Sequence, residues 1–186
     1  SIRYASWFFP PEEAKKMLEK WDHQIGPSDS NCYEAYCNLM NFLPRKYVDY
    51  VPQVIDILMK SPDSFMIELS VRYLLNAVDR GVDLLPYLDI IFATIYRQIG
   101  IPQQIIGNEC NFNPKVYHWM TVTLSSEESI STSIDVLSKL TAKMIHQSKT
   151  IDYLEHLIQI LDEHFKPDNS IMNNASLYFS TLILSI

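Results

Sequence analysis

Apolar side chains return every three to four positions along almost the whole of this chain, which is the repeat of an α-helix. In several stretches they also occupy the remaining sides. Residues 64–79 show this best: Met66, Leu69, Ser70, Tyr73, Leu74 and Ala77 form the inward stripe, and Ile67, Val71, Leu75 and Val78 add apolar surface elsewhere. A helix wet on one side has no use for that second surface, so this one is expected to lie buried between neighbours. Four glycines against ten prolines rule out a glycine-rich phosphate loop and the turn supply of an all-β sandwich.

Helix boundaries follow from local chemistry. The first helix spans 11–25, with Pro11 in its first turn, Glu12 and Glu13 at its positive end and Gly26 as the stop. A second spans 30–43 and ends at Pro44. In the third, Val48, Val51, Ile55 and Leu58 repeat at helical spacing around an interior Pro52. Ser61-Pro62-Asp63 caps a fourth, which Gly81 terminates. A fifth, near 82–99, carries Leu84, Leu85, Leu88, Ile91, Phe92, Ile95 and Ile99 inward, with an early Pro86 and a stop at Gly100.

Glycine, proline and asparagine then cluster over 100–115, which reads as an irregular loop with room for one short turn. The segment 116–124 is β-branched and reads as helix from context alone. Ser125 and Glu128 have capping-box spacing ahead of a helix carrying Ile130, Ile134, Leu137, Thr141 and Met144. Another carries Ile151, Leu154, Leu157, Ile158, Leu161 and Phe165. After a break at Pro167-Asp168, the last carries Ile171, Met172, Ala175, Phe179, Leu182 and Ile183.

Eight or nine helices joined by short connections make neighbours antiparallel. Because helices with two apolar sides recur, the expected fold is all-α: a solenoid of HEAT- or armadillo-like hairpins, rather than a closed bundle. Pro52 and Pro86 stand 34 positions apart in matching places of two successive units. Val51-Pro-Gln-Val-Ile-Asp-Ile-Leu-Met-Lys-Ser-Pro-Asp-Ser64 is similar to a HEAT repeat, in which a proline-bearing helix meets a tight Pro-Asp turn and a second helix. The basic residue common early in that second helix is missing, and Ile67 stands near its place. Residues 1–186 therefore read as a single helical-repeat segment. Its apolar final run, Leu177 to Ile186, breaks off mid-pattern, as expected of one stretch of a longer array.

Chemistry-bearing residues are sparse. Net charge is −7, from 22 acids and 15 bases, so the surface as a whole repels a phosphate backbone and no nucleic-acid partner is expected. Arg45 and Lys46 are too few to hold a polyanion and read as solvated. No apolar run reaches membrane-spanning length and no membrane association is expected. Cys32, Cys37 and Cys110 read as free thiols in a reducing compartment. His146, His156 and His164 lack zinc spacing, and the nearby Asp152, Glu155, Asp162 and Glu163 are ordinary for a solvated helix face, so no metal and no cofactor is expected. There is no nucleophile elbow and no Ser, His and Asp grouping. Glu12/Glu13 and Glu127/Glu128 are explained by helix starts. No catalytic, cofactor-binding or metal residue is assigned, and a small all-α enzyme or metal protein is the least favoured class. Trp7, Phe8 and Phe9 could dock a partner, but packing on the first helix or on a preceding repeat explains them better. The loop around 107–113 could carry function, but nothing in it names a ligand.

The order of several motifs resembles the N-terminal part of the giant single-chain HEAT-repeat proteasome activators, which cap the proteolytic core particle without ATP. These are Trp7-Phe-Phe-Pro-Pro11 running into Met17-Leu-Glu-Lys-Trp21, then Phe42-Leu-Pro44, Leu85-Pro-Tyr-Leu88 with Phe92 behind it, Ile101-Pro102, Tyr117-His-Trp-Met120, and the two amphipathic helices at 130–165 followed by Pro167. The resemblance implies one arc of a hollow dome, a structural role in ATP- and ubiquitin-independent degradation, and contact with the core particle through the full-length chain. It also implies a nuclear and cytoplasmic location and a link to DNA repair. The family opens the gate with a C-terminal tail ending hydrophobic-Tyr-any; this chain ends Leu184-Ser-Ile186, so that element is not matched and no functional residue is carried over. The alternative is an unrelated HEAT-like scaffold that binds protein segments along a concave groove, with the partner-binding residues unknown.

Overall fold

The computed structural model describes residues 51–60, 64–109 and 127–186. Among them every regular element is helical and there is no strand. The helices are α1 (Val51–Lys60), α2 (Ser64–Asp79), α3 (Leu88–Ile99), α4 (Gln103–Glu109), α5 (Glu127–Met144), α6 (Ser148–His164) and α7 (Ser170–Ser185), with a 3-10 turn, Leu85–Tyr87, leading into α3. The all-α class expected from periodicity is thus what these residues form. The sequence calls on 1–50, on the Ser61-Pro62-Asp63 cap and on 110–126 lie outside the described residues.

Glycine fixes two of the helix ends. Gly81 and Gly100 take positive φ, 85° and 98°. At each, the chain turns back on the helix it leaves. Gly100 N–H donates to Arg97 O at 3.0 Å and Ile101 N–H to Tyr96 O at 3.0 Å; Gly81 N–H donates to Val78 O at 2.8 Å and Val82 N–H to Ala77 O at 3.0 Å. This paired closure satisfies the last carbonyls of α2 and α3, and the left-handed residue it needs is one that glycine adopts without steric cost.

Three boundaries or faces depart from the sequence reading. The fifth helix begins at Leu88, not near 82. Pro86 lacks an N–H, and in a helix starting at 82 its ring would meet the carbonyl of Val82. The chain instead makes a short turn, with the Asp83 carboxylate accepting from Leu85 N–H at 2.9 Å, and Leu85 is left exposed. On α6 the buried stripe is Thr150, Leu154, Leu157, Ile160 and Leu161. Ile151 and Ile158 lie about a quarter-turn round the helix from Leu157 and Leu161 and are exposed by 43% and 53%. On α7, Tyr178 is fully buried and Ile183 is exposed, the reverse of the emphasis in the sequence pattern. Within the stretch expected to be irregular, Gln103–Glu109 is helical.

The most extensive packing involves α5, which lies against both α2 and α7. Helix α2 packs in turn on α1. Helix α3 touches α1, α5, α6 and α7. The expectation that α2 is covered on two sides is met by α1 and α5. Among the described residues the largest wholly buried side chains are Tyr96, Tyr178 and Phe92. Phe92 stacks on Tyr153 of α6 with ring centroids 4.7 Å apart, and Tyr96 Oη donates to Tyr153 O at 3.1 Å. Asn174 of α7 donates to Ile99 O at 3.2 Å, satisfying a carbonyl in the last turn of α3.

Burying a leucine or isoleucine side chain contributes about 1.5–3 kcal/mol, and a domain keeps only about 5–15 kcal/mol in total. Leu88→Asp or Leu157→Asp, each at a site with 0% exposure, is therefore expected to cost about 4 kcal/mol or more and to abolish the cooperative thermal transition. Ile158→Asp, next in sequence to Leu157, is expected to cost less than about 1 kcal/mol. Thermal unfolding followed by circular dichroism compares the variants, and equal losses at 157 and 158 would contradict this register of α6.

Candidate functional site: a polar seam and an interhelical groove

Polar side chains inside an apolar helix are the first places to look for chemistry. Helix α3 is buried over nearly its whole length, yet carries Thr94, Arg97 and Gln98 in its buried set. Gln98 Oε1 accepts from Ser64 Oγ at 3.0 Å and from Ser133 Oγ at 2.6 Å. One amide thus joins α3 to the first residue of α2 and to the middle of α5, with all three residues wholly buried. Its Nε2 has no partner among the described residues. Arg97, 7% exposed, donates from an Nη to Leu58 O at 3.3 Å. A cation is favoured there, because Leu58 lies in the last turn of α1, where the helix dipole is negative. Burial lowers the Arg97 pKa to about 10, which leaves the guanidinium charged at neutral pH.

On the other side of α5, Thr141 donates to Leu137 O at 3.0 Å, which uses its single hydroxyl hydrogen. Tyr178 Oη, 2.8 Å from Thr141 Oγ1, must then be the donor in that contact. Burial pushes the Tyr178 phenol well above its ordinary range, so it remains protonated and bonded. Neither cluster puts a nucleophile beside a base, and neither opens to solvent. Their chemistry is cross-linking between helices.

Among the described residues, one accessible feature is a groove of about 490 Å³ lined by Arg72, Leu75, Asn76 and Asp79 of α2, Lys139 and Lys143 of α5, and Ser185 of α7. Its origin lies in α5. With one flank of that helix against α2 and the other against α7, the narrow stripe at 135, 139 and 143 is what remains toward solvent, and it is charged. Lys139 pairs with Asp135 at 2.7 Å one turn earlier, as Arg72 pairs with Glu68 at 2.7 Å on α2. Lys143 reaches across to Asp79, so one ion pair joins α5 to α2 over the groove. Half-exposed pairs of this kind contribute at most about 1 kcal/mol each and exchange partners readily.

The histidines considered as ligands do not converge. His146 and His164 are exposed, His156 is half-buried, and His164 lies with its ring 6.3 Å from that of Phe165. Among the described residues no three or more His, Cys, Asp or Glu side chains are grouped as a metal site would need. No helix there is long and apolar enough to cross a membrane. Glu127 and Glu128 are the first two residues of α5. Cys32, Cys37, Cys110, Arg45, Lys46 and the Trp7–Phe9 cluster lie outside the described residues, as does 110–113 of the asparagine-rich loop. No protein-family model matches the chain, and no curated protein or solved structure matches it significantly.

Sequence reasoning missed Gln98, Arg97, Tyr178 and the groove. The first two were visible as polar residues in a helix whose other positions are mostly apolar. Lys139 and Lys143 one turn apart were visible as a stripe, but nothing local pairs them with Arg72 across the helix interface.

Gln98→Ala would leave the Ser64 and Ser133 hydroxyls without their shared acceptor and open a cavity. The expected loss is about 2–4 kcal/mol, measured by urea unfolding with an unchanged slope. A loss below about 0.5 kcal/mol would show that the amide does not join the three helices.

Proposed function

We propose that the chain is a non-catalytic helical-repeat segment of the HEAT type, whose role is to form part of a stiff wall. The observation that carries this is the order of helix contacts. Helices α1, α3 and α6 touch in succession, and so do α2, α5 and α7, with α1 against α2 and α3 against α5 joining the two series. Hairpins stacked side by side would put their first helices in one row and their second helices in another, and these two series support that reading, with the α3–α7 contact lying outside it. The interior supports the same reading. It is filled by apolar side chains and helix-to-helix hydrogen bonds, and its polar atoms hold neighbouring helices together.

The setting proposed for this wall is an ATP-independent proteasome activator, in which the intact protein caps the core particle and acts in the nucleus and cytoplasm. The support is the ordered series of sequence motifs from Trp7-Phe-Phe-Pro-Pro11 to Pro167. Of these, Leu85-Pro-Tyr forms the 3-10 turn that delivers Leu88 and Phe92 to the core. A second reading, a HEAT-like scaffold that holds a protein segment, is favoured by the groove over α2 and α5.

Affinity purification of the intact tagged protein tests the setting. Core particle recovered in stoichiometric amount, with peptide hydrolysis faster than that of the free particle, is the expected result. Recovery of other proteins without core particle would discard the activator setting and leave the scaffold reading.

A further inference from the structure

The groove between α2 and α5 has a composition at odds with the chain that carries it. The protein has a net charge of −7, yet the lining holds three bases, Arg72, Lys139 and Lys143, against one acid, Asp79, while Glu68 and Asp135 pair with Arg72 and Lys139 from beside it. We infer that this groove receives a short, extended, acidic segment of a partner protein. The inference gives a partner chemistry to the scaffold reading and does not depend on the proteasome setting.

Dimensions favour an extended peptide. Arg72 and Asp79 are seven residues apart on α2, so the lining runs about 10 Å along that helix, the length of about three residues of extended chain. Lys139 and Lys143 are one turn apart on α5, about 6 Å along its axis. Alternate side chains of an extended peptide repeat at about 6.6 Å on one side, so two carboxylates at i and i+2 meet the two ammonium groups in register. Leu75 offers apolar contact along the same lining.

The bases have capacity to spare. Arg72 gives Nε and one Nη to Glu68 and keeps the rest of its five N–H donors. Lys139 gives one contact to Asp135 and Lys143 one to Asp79, and each ammonium carries three donors. The Lys143–Asp79 pair spans the groove with both side chains more than a third exposed, so an incoming carboxylate can take the place of Asp79 beside Lys143. A duplex or long nucleic acid is a poor fit, because the acidic surface beyond the groove would repel its backbone.

Fluorescein-labelled hexaglutamate and hexalysine, titrated into the Ser1–Ile186 chain and followed by anisotropy, test the inference. Saturable binding of hexaglutamate, none of hexalysine, and loss of the signal between about 0.05 M and about 0.5 M salt are expected. Lys139→Glu/Lys143→Glu should weaken binding by about tenfold or more, whereas Lys149→Glu/Lys166→Glu, the same charge change placed away from the groove, should alter it by less than about twofold. Asp79→Asn, which frees Lys143, should tighten it. Circular dichroism checks that each variant is folded; if the Lys139/Lys143 variant is not, Arg72→Gln serves in its place and should weaken binding by about threefold. Absence of saturable binding, equal weakening by the two double variants, or unchanged binding in folded Arg72→Gln would overturn the proposal. Failure of core-particle recovery would not.

Discussion

The described fold depends on the burial of one helix on two sides. Helix α5 places Ile130, Ile134, Leu137, Thr141 and Met144 on one stripe and Val136 and Leu140 on another, and all are buried. A single amphipathic face would need only one partner. Two faces require α2 and α7 together, and α2 in turn draws in α1. Small hydroxyl side chains make the close approach possible. Ser138 and Thr141 each return a hydrogen bond to a carbonyl of their own helix, and Ser133 gives its one hydrogen to Gln98, so they fill little space and leave no donor of their own unpaired.

That arrangement accounts for both the interhelical hydrogen bonds and the groove. The polar contacts inside it join different helices: Gln98 links α3 with α2 and α5, Tyr178 links α7 with α5, and Asn174 links α7 with α3. Bonds of this kind favour one packing of the helices over its sliding alternatives, because a shift of one turn would leave buried donors unmet. With its flanks used for packing, α5 has a single narrow strip left for solvent. The charges on that strip, set beside those of α2, form the groove.

The sequence showed helix class and two of the stops plainly, for local reasons. Gly81 and Gly100 end helices because their backbones must take positive φ, and that requirement is visible in the residue itself. Helical phase was less legible. Leu157 and Ile158 are both apolar neighbours, and which one turns inward depends on where α3 lies, a fact no local pattern contains. The fifth helix was drawn too long because apolar spacing continues through Leu84 and Leu85 while Pro86 prevents regular bonding across them. The groove was illegible for a further reason: Arg72 and Lys143 are far apart in sequence, and only the packing of α2 on α5 brings their charges to one place.

Native-state hydrogen exchange read residue by residue tests the central claim directly. If α5 is the helix on which the others pack, its amides from Ile134 to Thr141 exchange only through global unfolding, as slowly as any in the chain, while those on the exposed side of α6 open first. Amides of α5 that exchange as fast as those of α6, through local opening, would contradict the account.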